Sequence, residues 1–301
     1  MLVQQAYPGE VFFVNNSGVY EDRPGSDSNP GTLRKPFATI DYAIGQCTAD
    51  RGDVIYVLPG HVETIADADD VDLDVAGVAI IGIGKGSDQP RFDFTATAST
   101  LDVGAADCLI ENMNFHANVP SVSVGLDLGG SSDGFTLRGC LFDVETTTTD
   151  EFTNVIALTG SGDTTIEDNV IDMGLGGAGK GIWLSSTSDR VTIRRNRIVG
   201  DYSTGNIVGQ TAASTEVYIE DNVLVNGGSG NLNAQPCIEM ITGTTGAVYR
   251  NHISCNVATV AAATVADTML FSDNWYNEDA GAAAGGVLRT AATSVTASAD
   301  D

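Results

Sequence analysis

Chemistry in this chain would have to come mainly from carboxylates, because it holds 40 Asp plus Glu against three histidines, His61, His116 and His252. Two carboxylates held roughly 5–9.5 Å apart can cleave a glycosidic bond. Clustered ones can hold a divalent cation such as calcium, the one cofactor this composition leaves room for. The adjacent pair Asp69-Asp70 lies in an early loop, and the one Asn-x-Asp, Asn277-Glu278-Asp279, comes near the end. No catalytic constellation is assigned on these residues. Asp127, Trp183 and Glu239 sit instead in short aliphatic stretches, Val124-Gly125-Leu126-Asp127-Leu128, Gly181-Ile182-Trp183-Leu184 and Cys237-Ile238-Glu239-Met240-Ile241. An indole presented on a flat sheet is a platform for a sugar ring or a partner, which makes these three the candidate ligand-binding residues. The five cysteines show neither a CxxC nor a Cys/His pairing at zinc spacing, so they read as small core residues and no metal site is expected.

The elements that would position these residues repeat. One frame recurs: an aliphatic residue, two polar ones, Asn, any residue, then an aliphatic or aromatic one. It runs through Ile110–Phe115, Leu137–Phe142, Ile166–Ile171, Ile193–Ile198, Ile219–Leu224, Val248–Ile253 and Phe271–Tyr276. The fourth position reads Met113, Cys140, Asn169, Asn196, Asn222, Asn251, Asn274, at intervals of 27, 29, 27, 26, 29 and 23 residues. The flanks alternate with period two, as in Thr164, Ile166 against Thr165, Glu167, which is the signature of strands and not of helices. With the second aliphatic strand between copies, each repeat has room for about three strands, so the frame predicts a three-sheet parallel solenoid. Stacked asparagines would satisfy the turn groups along the stack. The second and third positions alternate in sign from coil to coil, as in Glu111, Arg138, Glu167, Arg194, Glu220, which predicts a charge ladder and not paired catalytic groups.

The N-terminal segments Phe13–Gly18, Gly25–Thr32, Lys35–Ile40 and Gly52–Gly60 together resemble the opening of right-handed β-helix proteins of the pectin-lyase-like superfamily. Ile40, Ala43, Ile44 and Cys47 fall on one face of a short helix that would plug the open end of the solenoid. The resemblance covers nearly the whole chain. It implies an all-β, single-stranded right-handed parallel β-helix with a short N-terminal capping helix: residues 1–50 as N-terminal segment and cap, 51–276 as β-helix, 277–301 as C-terminal cap or tail. It also implies that a site would lie on the strand following the long loops, where the outward column reads Asp127, Ala157, Trp183, a position near Val208, and Glu239. Asp127 and Glu239 would be four coils, about 19 Å, apart and so no pair. Glu145, Asp150 or Glu151 from a loop could supply Asp127 with a partner. The calcium cluster with an arginine base of pectate lyases is not found, nor is the Asn-x-Asp, Asp pair and His-Gly set of polygalacturonase-like hydrolases.

Charge narrows the partners. A net −26, with Lys35, Lys85 and Lys180 the only lysines, excludes nucleic acid and fits high solubility. The opening MLVQQAYPGE has no basic n-region or apolar h-region, so no signal peptide is visible, and no run has the length to insert in a membrane. This profile resembles β-helical spikes and decoration proteins of tailed viruses. The expectation is a non-catalytic virion surface protein, a homotrimer contacting other virion proteins and surface polysaccharide. The alternative is a polysaccharide lyase or glycoside hydrolase acting on an acidic polymer.

Overall fold

The structure, a computed structural model, describes residues 9–17, 24–68, 70–145, 151–174, 177–227, 235–255, 263–265 and 268–278. Among these, the strands sort into three sheets of 10, 8 and 9 members, and each sheet takes its strands in chain order. The first sheet opens with Val11–Val14 and ends with Met269–Ser272; the second runs from Asp72–Leu73 to Ala263–Thr264; the third runs from Val62–Ile65 to Trp275–Glu278. Neighbours pair in parallel throughout, so the chain winds as a solenoid, one strand of each sheet per coil. The repeat frame falls in register: Ile110, Leu137, Ile166, Ile193, Ile219, Val248 and Phe271 stack across the first sheet. Their period-two alternation turns the aliphatic side chains inward, and the first six are fully buried. In the third sheet Phe92, Phe115 and Phe142 stack, the last two with ring centroids 4.3 Å apart and 10° from parallel.

The turn between first and third sheets explains the asparagines. The residue before each ladder position, Asn112, Gly139, Asp168, Arg195, Asp221, Arg250 and Asp273, lies in the left-handed region with φ of 53–62°. That bend turns the next side chain inward among backbone groups that need partners. Asn169, Asn196, Asn222 and Asn251 each donate the backbone N–H and Nδ2 to Oδ1 of the asparagine one coil on, at 2.9–3.1 Å. Each Nδ2 also reaches a carbonyl of the coil before, as Asn196 does to Ile166 at 2.8 Å. Outside the turn, Arg138 pairs with Glu111 at 2.6 Å, Arg194 with Glu167 at 2.8 Å, Arg195 with Asp168 at 2.8 Å and Arg250 with Asp221 at 2.7 Å, the expected charge ladder.

At the N-terminal end a short helix, Ile40–Ile44, lays Ile40, Ala43 and Ile44 on the core. Cys47 lies beyond the helix, and its Sγ donates to the Ala43 carbonyl at 3.3 Å. Thr39 caps the helix by accepting from the Tyr42 N–H. The buried Glu63 carboxylate accepts the Ile40 N–H at 2.9 Å and the His61 Nε2–H at 2.8 Å. His61 Nδ1 accepts the Asn16 N–H at 3.1 Å, so this histidine is spent on fastening the cap to the first coil.

Candidate functional site

The outward column of the second sheet forms as the repeat implies, with Asp127, Ala157, Trp183, Val208 and Glu239 in one register. It extends further than the frame shows, because Asp72 and Asp102 precede Asp127 in the same column. Asp127 accepts from Thr159 Oγ1 at 2.6 Å, and Asp102 from Thr100 Oγ1 at 3.3 Å. Four coils, about 19 Å at the coil rise, separate Asp127 from Glu239, so those two do not meet. Of the loop carboxylates, Glu145 goes to the third sheet and Glu151 accepts from Ser121 Oγ at 3.4 Å, its pKa raised by burial. Asp150 and Asp69 lie outside the described residues, as does Asp279.

Trp183 stands outward in the middle of this column and is half-buried. The Lys180 ammonium lies 4.3 Å from its ring centroid and also donates to Asn154 Oδ1 at 3.4 Å. Burial pushes the Lys180 pKa down, which makes the ammonium a poorly solvated cation held against the indole. The indole Nε1 is buried without a hydrogen-bond partner. Tyr202, which opens the next strand of the same sheet, Tyr202–Gly209, is fully buried in the core. The second sheet therefore offers an aromatic flanked by a cation and an amide, with three stacked carboxylates beginning two coils away in the same column.

A second polar cluster, on the outward face of the third sheet, escapes the six-residue frame. His116 Nδ1 hydrogen-bonds Asp143 at 2.6 Å and its Nε2 hydrogen-bonds Glu145 at 3.0 Å. Asn114 Nδ2 donates to the same Asp143 at 3.3 Å. Asp93, one coil before His116 and 8% exposed, lies 3.7 Å from Arg91. The Asp143 hydrogen bond, outweighing burial, raises the His116 pKa, because both acceptors favour the doubly protonated ring. Both ring nitrogens of His116 are engaged by carboxylates in this arrangement. The signal for this cluster is the position after the frame, which reads His116, Asp143, Asp172 and follows Asp93. Among the described residues, no group of three His, Cys, Asp or Glu converges on a point that could hold a metal ion.

Comparison with known proteins agrees with this architecture. Residues 94–237 match the family model described as the right-handed β-helix region. The chain is a right-handed β-helix. Among solved structures, this β-helix is similar to the pectin methylesterase of Aspergillus niger, with 15% identity, TM-score 0.56, and coverage of 95% of this chain and 91% of that one. It is also similar to the tailspike protein of E. coli bacteriophage HK620, with 11% identity, TM-score 0.45, and coverage of 90% and 65%. A third is the DFA-IIIase of Arthrobacter chlorophenolicus A6, with 13% identity, TM-score 0.43, and coverage of 90% of each chain. No curated protein sequence matches the chain. At such identities the likeness establishes the fold of the β-helix and leaves its chemistry to the site.

Proposed function

We propose that this β-helix is a non-catalytic, carbohydrate-binding protein of a virion surface, a homotrimer beside other virion proteins that engages host surface glycans along the second sheet. The observation that carries the reading is Trp183, outward at the centre of the column with Lys180 across its ring and Asn154 behind the ammonium. An aromatic flanked by fixed hydrogen-bonding groups suits a sugar, which offers an apolar ring face and a hydroxyl rim. The column runs in one register from Asp72 to Glu239, so a glycan chain could lie along the solenoid axis. The Aspergillus niger neighbour is by name an enzyme acting on pectin, a polysaccharide, and this supports a carbohydrate ligand here. A net charge of −26 supports display on a crowded, hydrated surface and favours neutral glycans over polyanions.

The test is glycan-array binding of the wild-type chain and of Trp183→Ala, with the native mass measured alongside. Glycan binding weakened in Trp183→Ala, on a particle of three times the 31.2 kDa chain mass, is the expected result. Binding unchanged by Trp183→Ala removes the second sheet from the reading, and a monomer removes the trimer.

One observation favours a second reading, a glycoside hydrolase. Asp102 and Asp127 are stacked one coil apart, about 4.8 Å, and Asp72 and Asp127 two coils apart, about 9.6 Å. Both separations lie close to those of carboxylate pairs that cleave glycosidic bonds. Release of reducing ends from a polysaccharide panel by the wild type, abolished in Asp102→Asn and Asp127→Asn, would establish this activity. Binding without turnover keeps the first reading.

A further inference from the structure

The third sheet carries an aromatic platform far from the Trp183 column. Trp275 is the most exposed large hydrophobic residue among the described residues, 70% accessible, and its ring lies 5.9 Å from that of His252 at 9° from parallel. The two are register partners in adjacent coils, and Val223, 42% accessible, follows them one coil earlier. Beside this flat stack lies a hollow of about 400 Å³, lined by the side chains of Val223, Val225, His252, Ser254 and Trp275. That volume is at the small end of ligand sites, enough for a ring or two and not for a folded segment.

The lining chooses the ligand. In a chain with 40 acidic residues, none of the described residues lining this hollow is acidic, and His252 is the one titratable residue among them. A polyanion would have to approach through the field of a −26 molecule, with one imidazole to receive it. A cation would find no carboxylate among the described residues of the lining. What the hollow presents is an apolar floor, a stacked pair of aromatic rings, and at the rim the Ser254 hydroxyl and the imidazole nitrogens. We propose that this hollow is a second binding site, for a neutral pyranose unit whose C–H face packs against the Trp275 ring and whose hydroxyls bond Ser254 and His252. The site shares with the function proposed above only its ligand class. It stands on a different sheet, so the two can fail separately.

The chain has two tryptophans, so in Trp183→Phe the whole indole emission comes from Trp275. The full chain carrying that substitution is titrated with cellohexaose and with maltohexaose, followed by Trp275 emission and by acrylamide quenching. The expected result is a saturable change in emission with loss of quenching for at least one of the two. In the Trp183-containing chain, Trp275→Ala weakens calorimetric binding of the same sugar about tenfold, in line with the loss of one aromatic stacking contact. His252→Ala weakens it in the same direction and serves as the second variant. Far-UV circular dichroism confirms that both remain folded.

Three results would overturn the site. In the first, Trp275 is already shielded from acrylamide without sugar and unresponsive to it, which means that a second copy or another part of the chain covers the platform. In the second, Trp275 is quenched freely and no sugar changes its emission. In the third, binding is lost in Trp183→Ala and kept in Trp275→Ala, which leaves the second-sheet reading standing alone. Binding kept in Trp183→Ala and lost in Trp275→Ala supports the site and overturns the second-sheet reading instead.

Discussion

Single residues show how a repeat makes some roles legible and hides others. The ladder asparagines could be read from the chain because the same residue type returns at every coil, and the structure gives each the same bonds. Asn196 is the clearest case: its Oδ1 accepts both the N–H and the Nδ2 of Asn169, and its Nδ2 donates to Ile166. Asn196→Ala leaves these buried groups unpaired, and we expect a loss of roughly 1–3 kcal/mol in urea unfolding. Wild-type stability would show that water or a neighbour replaces the amide. The His116 cluster was not legible, because Asp93, His116 and Asp143 differ in type from coil to coil and no repetition marks them. Its consequence is a pH dependence of definite sign. The folded His116 pKa is raised, so the clasp contributes fully below the ordinary imidazole value of about 6.5 and its contribution is lost as pH rises through the folded value. Unfolding midpoints of the wild type should therefore fall over that window relative to those of His116→Gln. Parallel profiles for the two proteins would show that the clasp adds nothing.

At the scale of elements, the strands were legible and their turns only partly so. The frame located the inward asparagine, but not that the residue before it must take a left-handed backbone. That position holds Asn112, Gly139, Asp168, Arg195, Asp221, Arg250 and Asp273, a set too varied in type to announce one conformation. Gly139 isolates the backbone cost. Its φ is 62°, and a Cβ built there meets nothing within 4 Å, so any penalty for a side chain comes from the dihedral alone. Gly139→Ala should destabilise by about 1 kcal/mol, and Gly139→Asn by less, since a short polar side chain tolerates this region. Equal costs for the two would mean that packing, not φ, governs the turn. The cap shows the complementary limit. The apolar spacing of Ile40, Ala43 and Ile44 revealed the helix, but the bond from its first N–H to Glu63 joins residues 23 apart that no periodicity connects.

For the whole molecule, charge was plain in the composition while its arrangement was not. Folding stacks part of the acid into pairs: Arg138, Arg194, Arg195 and Arg250 each meet carboxylates of a neighbouring coil, and Arg190 meets Asp163 at 2.5 Å. These pairs are largely exposed, so each adds little, and salt weakens them. Against them stands the repulsion of 40 acids by one another, with only 14 basic residues in the chain to offset it. Asp72, Asp102 and Asp127 stack in consecutive coils without alternation of sign, so the charge ladder's rule is broken within this column. Salt shortens the reach of both effects, from about 10 Å at 0.1 M to about 3 Å at 1 M. It acts most strongly on the longer-range of the two, which is the diffuse repulsion and not the contact pairs. The melting temperature should therefore rise with sodium chloride across this range, and Asp102→Asn should raise it at low salt and matter less at high salt. A melting temperature that falls as salt is added would mean that the arginine ladder, not the net charge, dominates the electrostatics of the solenoid.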